Sequence, residues 1–129
     1  MTIWHWNING LNRIKKSLNQ FIEFYKPDIL CLNETKLSQD SSIDHFKYQI
    51  YNNCPNRKNY SGVAILHNED DAKEIEHKME EDIEGRVLAV EFPKFVVVSV
   101  YTPHSGVKGL KRLEYRVETW DRAFEVYLT

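Results

Sequence analysis

Hydrophobic and polar positions follow two different periods along this chain, and the changes of period divide it into strands and helices. Residues 2–8 are rich in β-branched and aromatic side chains and stop at the turn pair Asn9-Gly10, which predicts a first strand. From there Leu11, Ile14, Leu18, Phe21, Ile22 and Tyr25 recur at three- and four-residue spacing, with Arg13, Lys15, Lys16 and Asn19 between them. That period predicts an amphipathic helix closed by Pro27. Residues 29–32 are an unbroken apolar run after a turn signal, the pattern of a strand buried on both faces. Strand, helix and strand together predict a right-handed βαβ start.

Further along, a helical turn is expected at residues 42–46, a strand at 48–51 and an exposed loop at 52–60, where Pro, Asn and Lys/Arg residues gather. Residues 62–67 read as a strand and 74–79 as a weak one. Residues 85–92 and 95–101 read as two strong strands around the Pro93-Lys94 turn, an antiparallel pair. A Thr-Pro-His-Ser-Gly loop then leads to a helix over about residues 110–128, with Leu113, Val117, Trp120, Phe124 and Leu128 on one stripe. No repeat and no low-complexity segment interrupts the pattern.

Composition narrows the class. A chain of 129 residues is long enough for one domain. Its net charge of −2 lacks the basic excess of a non-specific nucleic-acid coat. The charge is unevenly placed: residues 69–84 are acidic apart from Lys73, His77 and Lys78 among their charged members, whereas Arg13, Lys15, Lys16, Arg57, Lys58, Lys108, Lys111, Arg112 and Arg116 form basic clusters. Two cysteines, Cys31 and Cys54, are too few for a disulfide framework, and no stretch approaches the apolar length of a membrane span. The expectation is a soluble, intracellular protein with no membrane partner.

Three expected strand ends carry polar groups that propensity does not require. They are Asn7 and Asn9 after the first strand, Glu34 after the second, and Tyr101 with His104 after the last. In layered α/β folds ligands collect outside strand ends where loops converge, so the pattern points to a site. Glu34, at the mouth of a buried strand, needs a partner for its charge, and a divalent cation is one that would serve. The same residue types also act as turn formers, loop caps and core aromatics, and spacing alone does not choose between these readings. The histidines His5, His45, His67 and His77 show no spacing suited to zinc.

Six ordered blocks carry a resemblance: Trp6-Asn-Ile-Asn-Gly-Leu11, Pro27-Asp-Ile-Leu-Cys-Leu-Asn-Glu-Thr-Lys36, Tyr60-Ser-Gly-Val-Ala-Ile-Leu66, Glu84-Gly-Arg-Val87, Tyr101-Thr-Pro-His-Ser-Gly106, and Arg112-Leu-Glu-Tyr-Arg116 with Trp120-Asp121. Together they resemble the N-terminal half of the exonuclease III type of apurinic/apyrimidinic (AP) endonuclease. The resemblance implies an α/β layered fold of the endonuclease/exonuclease/phosphatase class, a four-layer α/β/β/α sandwich of which residues 1–129 form half of one domain, as a mixed sheet with flanking helices. It implies a DNA repair nuclease that hydrolyses a phosphodiester 5′ to an abasic site in double-stranded DNA, trims 3′ ends as a second activity, and depends on Mg²⁺, with Mn²⁺ as a substitute. On that comparison Glu34 is a metal ligand and Asn9 lies near a second metal position. Asn7 orients groups around the metal and Tyr101 hydrogen-bonds the scissile phosphate. His104 stands where the family usually has Asn, and takes that role only through an inward ring N–H. Lys108 stands where relatives place a DNA-contacting Arg, keeping the charge without the planar fork. Arg13, Lys15 and Lys16 are phosphate-backbone candidates.

The later half of such a domain should supply an Asp-X-Asn and a final Ser-Asp-His, and neither motif occurs here. Asp44-His45 lacks the preceding Ser and the strand end, and is not a match. The resemblance therefore assigns activity to an intact domain, with this chain a truncated or split piece, and it predicts an inner sheet face left bare for a C-terminal half or for self-association. Two other readings share some of these residues. A retrotransposon-type endonuclease of the same fold shares Asn-Ile-Asn-Gly-Leu and the Tyr-x-Pro block, and a non-catalytic DNA- or partner-binding fragment would use the basic loops alone.

Overall fold

The computed structural model describes residues 1–103 and 112–129 of the chain. Its first strand, β1 (Ile3–Asn7), leads into helix α1 (Leu11–Tyr25) and then β2 (Ile29–Asn33). Strands β3 (Tyr48–Asn52), β4 (Val63–His67), β5 (Lys73–Glu74), β6 (Val87–Glu91) and β7 (Val96–Val100) follow. The described part closes with a π-helical turn, Tyr115–Trp120, that runs into α2 (Asp121–Leu128). Helix α1 has the expected bounds. Its apolar face buries Leu11, Leu18 and Ile22, and Lys26 ends it in the left-handed conformation, its N–H bonded to the Ile22 carbonyl at 2.8 Å, just before Pro27.

The strands form two sheets. The first has the order β1-β2-β4-β3, with β1 parallel to β2 and the other pairs antiparallel; the second is antiparallel in the order β5-β6-β7. Period-two alternation divides the apolar side chains among three cores. Leu30, Leu32, Ala64 and Leu66 face α1, whereas Ile29, Cys31, Val63 and Ile65 face Leu88, Val90 and Phe92 across the gap between the sheets. Val87, with Val98 and Val100, turns the other way and packs under Trp120, Tyr115, Phe124 and Tyr127. Each such fully buried Leu, Ile or Val contributes roughly 1.5–3 kcal/mol relative to exposure. All five residues of β2 are buried because a helix covers one of its faces and a sheet the other.

This arrangement keeps the expected layered α/β sandwich and corrects one consequence drawn from it. Helix, sheet, sheet and helix are all present in the described chain, so the second sheet covers the inner face of β2, β3 and β4 and leaves that of β1 bare, where Ile3, His5 and Asn7 share the face of Ile29 and Cys31. What stands open is the edge. Strands β6 and β7 cover β2, β3 and β4, and β1 projects past them with all five residues exposed; Ile3 is 51% and Trp6 42% exposed. On the same side β7 is the last strand of its own sheet, with Val96 49% exposed.

Three local expectations also change. Residues 42–46 form no helical turn, because the Gln49 side chain of β3 accepts from the Ile43 N–H and donates to the Ile43 and Phe46 carbonyls, satisfying the backbone without a helix ladder. The weak strand shrinks to Lys73–Glu74, and Met79 turns instead into the core beneath Trp120. In the last helix the stripe is Tyr115, Trp120, Ala123, Phe124 and Tyr127, while Leu113, Val117 and Leu128 are exposed. The cause is the π turn: the Asp121 N–H reaches back five residues to the Arg116 carbonyl, which rotates the earlier positions off the core face.

Candidate functional site

One end of the sandwich collects the C-terminal ends of β1, β2 and β7 with the starts of β4 and β6. A chain of backbone bonds laces them. Ile8 N–H donates to Asn33 O at 3.0 Å, Gly10 N–H to Glu34 O at 2.7 Å, and Thr35 N–H to Gly62 O at 3.1 Å. Gly62 N–H then donates to Gly85 O at 3.0 Å, and Tyr101 N–H to Arg86 O at 2.8 Å. Gly62 is required at its place: its φ is +93°, and a Cβ would collide with Thr35 Oγ1.

Asn7, Asn9, Glu34 and Tyr101 all lie on this end. Asn9, at φ 48°, donates its N–H to Asn7 Oδ1 at 3.3 Å, an Asx turn that fixes the two amides relative to each other. Glu34 also has left-handed backbone, φ 60°, which turns its carboxylate out of the buried strand. Its Oε1 lies 3.5 Å from Lys36 Nζ, and the same ammonium donates to Asn9 Oδ1 at 2.6 Å. Tyr101 follows β7, half-buried, with its phenol pKa pushed above the ordinary value first by burial and then by the negative charge of Glu34. The Asn33 side chain donates to the Val100 carbonyl at 2.9 Å and so ties the Glu34 strand to the Tyr101 strand.

Behind Tyr101 lies a network to which the sequence reading assigned no role. Arg86, 2% exposed, donates from Nε to Glu84 Oε1 at 3.1 Å, from Nη2 to the Tyr60 hydroxyl at 3.0 Å, and from Nη1 to the Tyr101 carbonyl at 3.3 Å. Arg112 reaches the same two acceptors, Tyr60 Oη at 2.9 Å and Glu84 Oε1 at 3.2 Å. The Arg86 guanidinium stands 4.8 Å from the Tyr101 ring centroid and that of Arg57 stands 3.6 Å from the Tyr60 ring. Glu84, Arg86, Tyr60 and Arg112 all fall inside the quoted motif blocks, which were the one signal available.

The remaining candidates divide. Arg13 donates to the Asn9 and Ile8 carbonyls at 3.4 and 3.3 Å, bracing the Asn9 loop from within, and Lys15 donates to Ser41 Oγ at 3.2 Å. Lys16 is exposed on the same helix. His104 and Lys108 lie outside the described residues. A cavity of about 670 Å³ opens at the opposite end of the strands, lined by Pro27, Ile29, His67 and Phe92 among others, and contains none of the candidate residues.

Residues 4–123 match the sequence model of the Endonuclease/Exonuclease/phosphatase family. The chain belongs to this family. Over 99% of its length it is 36% identical to an exodeoxyribonuclease of Bacillus subtilis and, over an equal share, 36% identical to a DNA repair nuclease of Danio rerio. Those matches cover 52% and 44% of the relatives, so the chain spans about half the length of these curated proteins. Among solved structures an AP endonuclease of Leishmania major superposes with a TM-score of 0.78 at 27% identity, over 98% of this chain and 46% of that one.

For this member of the endonuclease/exonuclease/phosphatase family the site chemistry is that of hard oxygen donors. Glu34 would supply a carboxylate and Asn9 an amide oxygen, hard donors of the kind a divalent cation with oxygen ligands takes and a thiolate- or imidazole-seeking ion does not. Among the described residues no group of three or more His, Cys, Asp and Glu side chains is placed to hold a metal. A cation held by Glu34 and Asn9 alone would keep waters or substrate oxygens in most of its positions. No described helix is long and apolar enough to cross a membrane.

Proposed function

We propose that the chain is the N-terminal half of a divalent-metal-dependent DNA phosphodiesterase that incises 5′ to abasic sites. The observation that carries this reading is the convergence of Asn7, Asn9, Glu34 and Tyr101, drawn from three separate strands, on one end of the sandwich. The names of the Bacillus subtilis, Danio rerio and Leishmania major relatives support a repair nuclease over a retrotransposon endonuclease. On this proposal residues 1–129 form one partial domain, which continues sideways from the open edges of β1 and β7 through strands that lengthen both sheets.

Phosphodiester hydrolysis builds negative charge on the non-bridging and leaving oxygens. Glu34, with Asn9 beside it, would hold Mg²⁺, which supplies Lewis-acid neutralisation of that charge. Tyr101 contributes a hydroxyl donor. A phenol is protonated at neutral pH at its ordinary pKa, and burial raises that of Tyr101 further, so its hydroxyl can donate to a phosphate oxygen. Asn7, clamped by the Asn9 N–H, presents an amide whose orientation is fixed before substrate arrives. Lys16 offers an exposed charge for the DNA backbone, while Arg13 shapes the loop.

The test mixes the chain with a separately expressed second half of the Bacillus subtilis relative and follows incision of an abasic-site duplex in Mg²⁺. Incision that needs both polypeptides and disappears with Glu34→Gln is the expected result. Incision indifferent to Glu34→Gln removes the ligand assignment. Salt-sensitive DNA binding without incision favours a binding fragment.

A further inference from the structure

Lys36 is built into the site in a way the assignments above do not use. Asn9, Glu34 and Lys36 all have left-handed backbone without being glycine, at φ 48°, 60° and 55°. Such strain persists where surrounding structure imposes it. Here the Gly10 and Leu11 N–H groups grip the Glu34 and Thr35 carbonyls at 2.7 and 2.8 Å, and the Lys36 N–H grips the Ser61 carbonyl at 2.8 Å. The outcome is a lysine folded back over Gly10, where an added Cβ would meet Lys36 Cδ at 3.8 Å. Its ammonium is set between the two oxygens a metal would use, 2.6 Å from Asn9 Oδ1 and 3.5 Å from Glu34 Oε1. Among the described residues Glu34 has no other ion-pair partner.

We propose that the Lys36 ammonium is the resident counter-cation of the Glu34–Asn9 oxygen pair, that a divalent cation binds by displacing it, and that the displaced ammonium then serves an anionic oxygen of the substrate. The inference rests on the reading of Glu34 as a metal ligand. With Lys36 in place the carboxylate already faces an ammonium 3.5 Å away, so an incoming cation must compete with that charge. Asn9 brings no second carboxylate to favour the divalent ion. Lysine suits an exchange of this kind, since its point charge rides on four rotatable methylenes and is 32% exposed, free to swing without unfolding the loop. Metal and substrate phosphate then help each other through one side chain. An anion that draws Lys36 away from Glu34 raises metal affinity, and metal that expels Lys36 raises affinity for the anion by the same factor.

Calorimetric titration of the chain with Mg²⁺ tests this without any turnover. Lys36→Met, which keeps the stem and removes the charge, should bind Mg²⁺ on the order of tenfold more tightly than the natural chain. Glu34→Gln should abolish binding in both backgrounds. Equal or weaker binding by Lys36→Met, with binding still lost in Glu34→Gln, overturns the displacement and leaves the ligand assignment standing. No Mg²⁺ binding by either the natural chain or Lys36→Met overturns both together. Should Lys36→Met fail to fold, the ¹⁵N resonance of the Lys36 ammonium in the unmutated chain decides: it should move with the calorimetric midpoint, and a signal that stays in place through saturation overturns the proposal.

Discussion

Asn33 reaches across the gap between the sheets to donate from Nδ2 to the Val100 carbonyl, 2.9 Å away. Each residue directly precedes a candidate group, Glu34 on one side and Tyr101 on the other, so this bond sets the spacing of the carboxylate and the phenol. Asn33 is 4% exposed and its Oδ1 has no partner, so little else holds the amide in place. Asn33→Ala should destabilise the chain by about 1–3 kcal/mol, because the Val100 carbonyl is left buried without its donor. Urea unfolding at pH 7 measures this, and a midpoint unchanged from the natural chain would show that the inter-sheet bond contributes nothing net.

A second prediction concerns Glu84, which accepts from Arg86 and Arg112 at 3.1 and 3.2 Å. Arg86 is buried to 2% exposure, so Glu84→Gln removes the carboxylate at ion-pair distance from a guanidinium shielded from water, at a cost of about 3 kcal/mol. Arg112 is 34% exposed, and Arg112→Met should lose only about 1 kcal/mol, since solvent screens what it gives up. Parallel denaturant curves check the ranking. Equal losses would mean that the exposed cation, and not the buried one, anchors the network.

Neither contact was legible in the sequence, whereas the elements that carry them were. The bounds of α1 followed from Leu11, Leu18 and Ile22 at helical spacing with Pro27 behind them, and the burial of β2 followed from its unbroken apolar run. Residues 85–92 and 95–101 were legible as an antiparallel pair around Pro93-Lys94, but two apolar runs do not tell which sheet their strands join or what they cover. The cover that β6 and β7 give to β2, β3 and β4 was hidden for that reason. Arg86 was hidden because a charged residue reads as surface unless its partners are known, and Tyr60 and Arg112 lie 26 positions upstream and, relative to Tyr60, 52 positions on. Asn7, Asn9, Glu34 and Tyr101 were legible as polar groups at the ends of expected strands, and the folded chain brings those strand ends together. Lys36 was not legible as part of the site, since nothing in local sequence says that a lysine two residues after a glutamate folds back between it and Asn9.

Burial also sets the reactivity of Cys31, whose thiol faces the second sheet beside Ser99. Desolvation pushes its pKa from 9.0 to about 11 against a smaller opposing effect of the neighbouring Ser99. The two-unit rise alone lowers the thiolate fraction near neutrality roughly 100-fold relative to an ordinary thiol, because only the thiolate reacts. With an aromatic disulfide reagent at pH 7.4, Cys31 should react only as fast as the sheets open, and its rate should rise with urea in step with unfolding. Prompt labelling in the native state, located at Cys31 by peptide mapping, would contradict the packing between the sheets.

The last prediction concerns pH. His67 ends β4 at 2% exposure, stacked on Tyr48 at 5.2 Å between ring centroids and edge-on to Phe92 at 5.0 Å, with its Nδ1 accepting the Glu69 N–H at 3.1 Å. Burial lowers its pKa below the ordinary 6.5, against a weaker opposing pull from Glu69. The unfolded chain therefore takes up a proton near pH 6.5 that the folded chain still refuses, and below that point the unfolded state binds more protons. His67 accordingly supports the fold above pH 6.5, and its contribution falls away as the pH drops towards the lowered folded value. Asp82 works in the opposite sense. Its carboxyl is raised from 3.8 by burial, so protonation favours its folded form, and its window lies nearer the carboxylate range. Urea midpoints taken between pH 7 and 5.5 should fall for the natural chain and fall less for His67→Gln, which keeps an acceptor for the Glu69 N–H but does not titrate. Identical slopes for the two chains would assign the pH dependence to some other group.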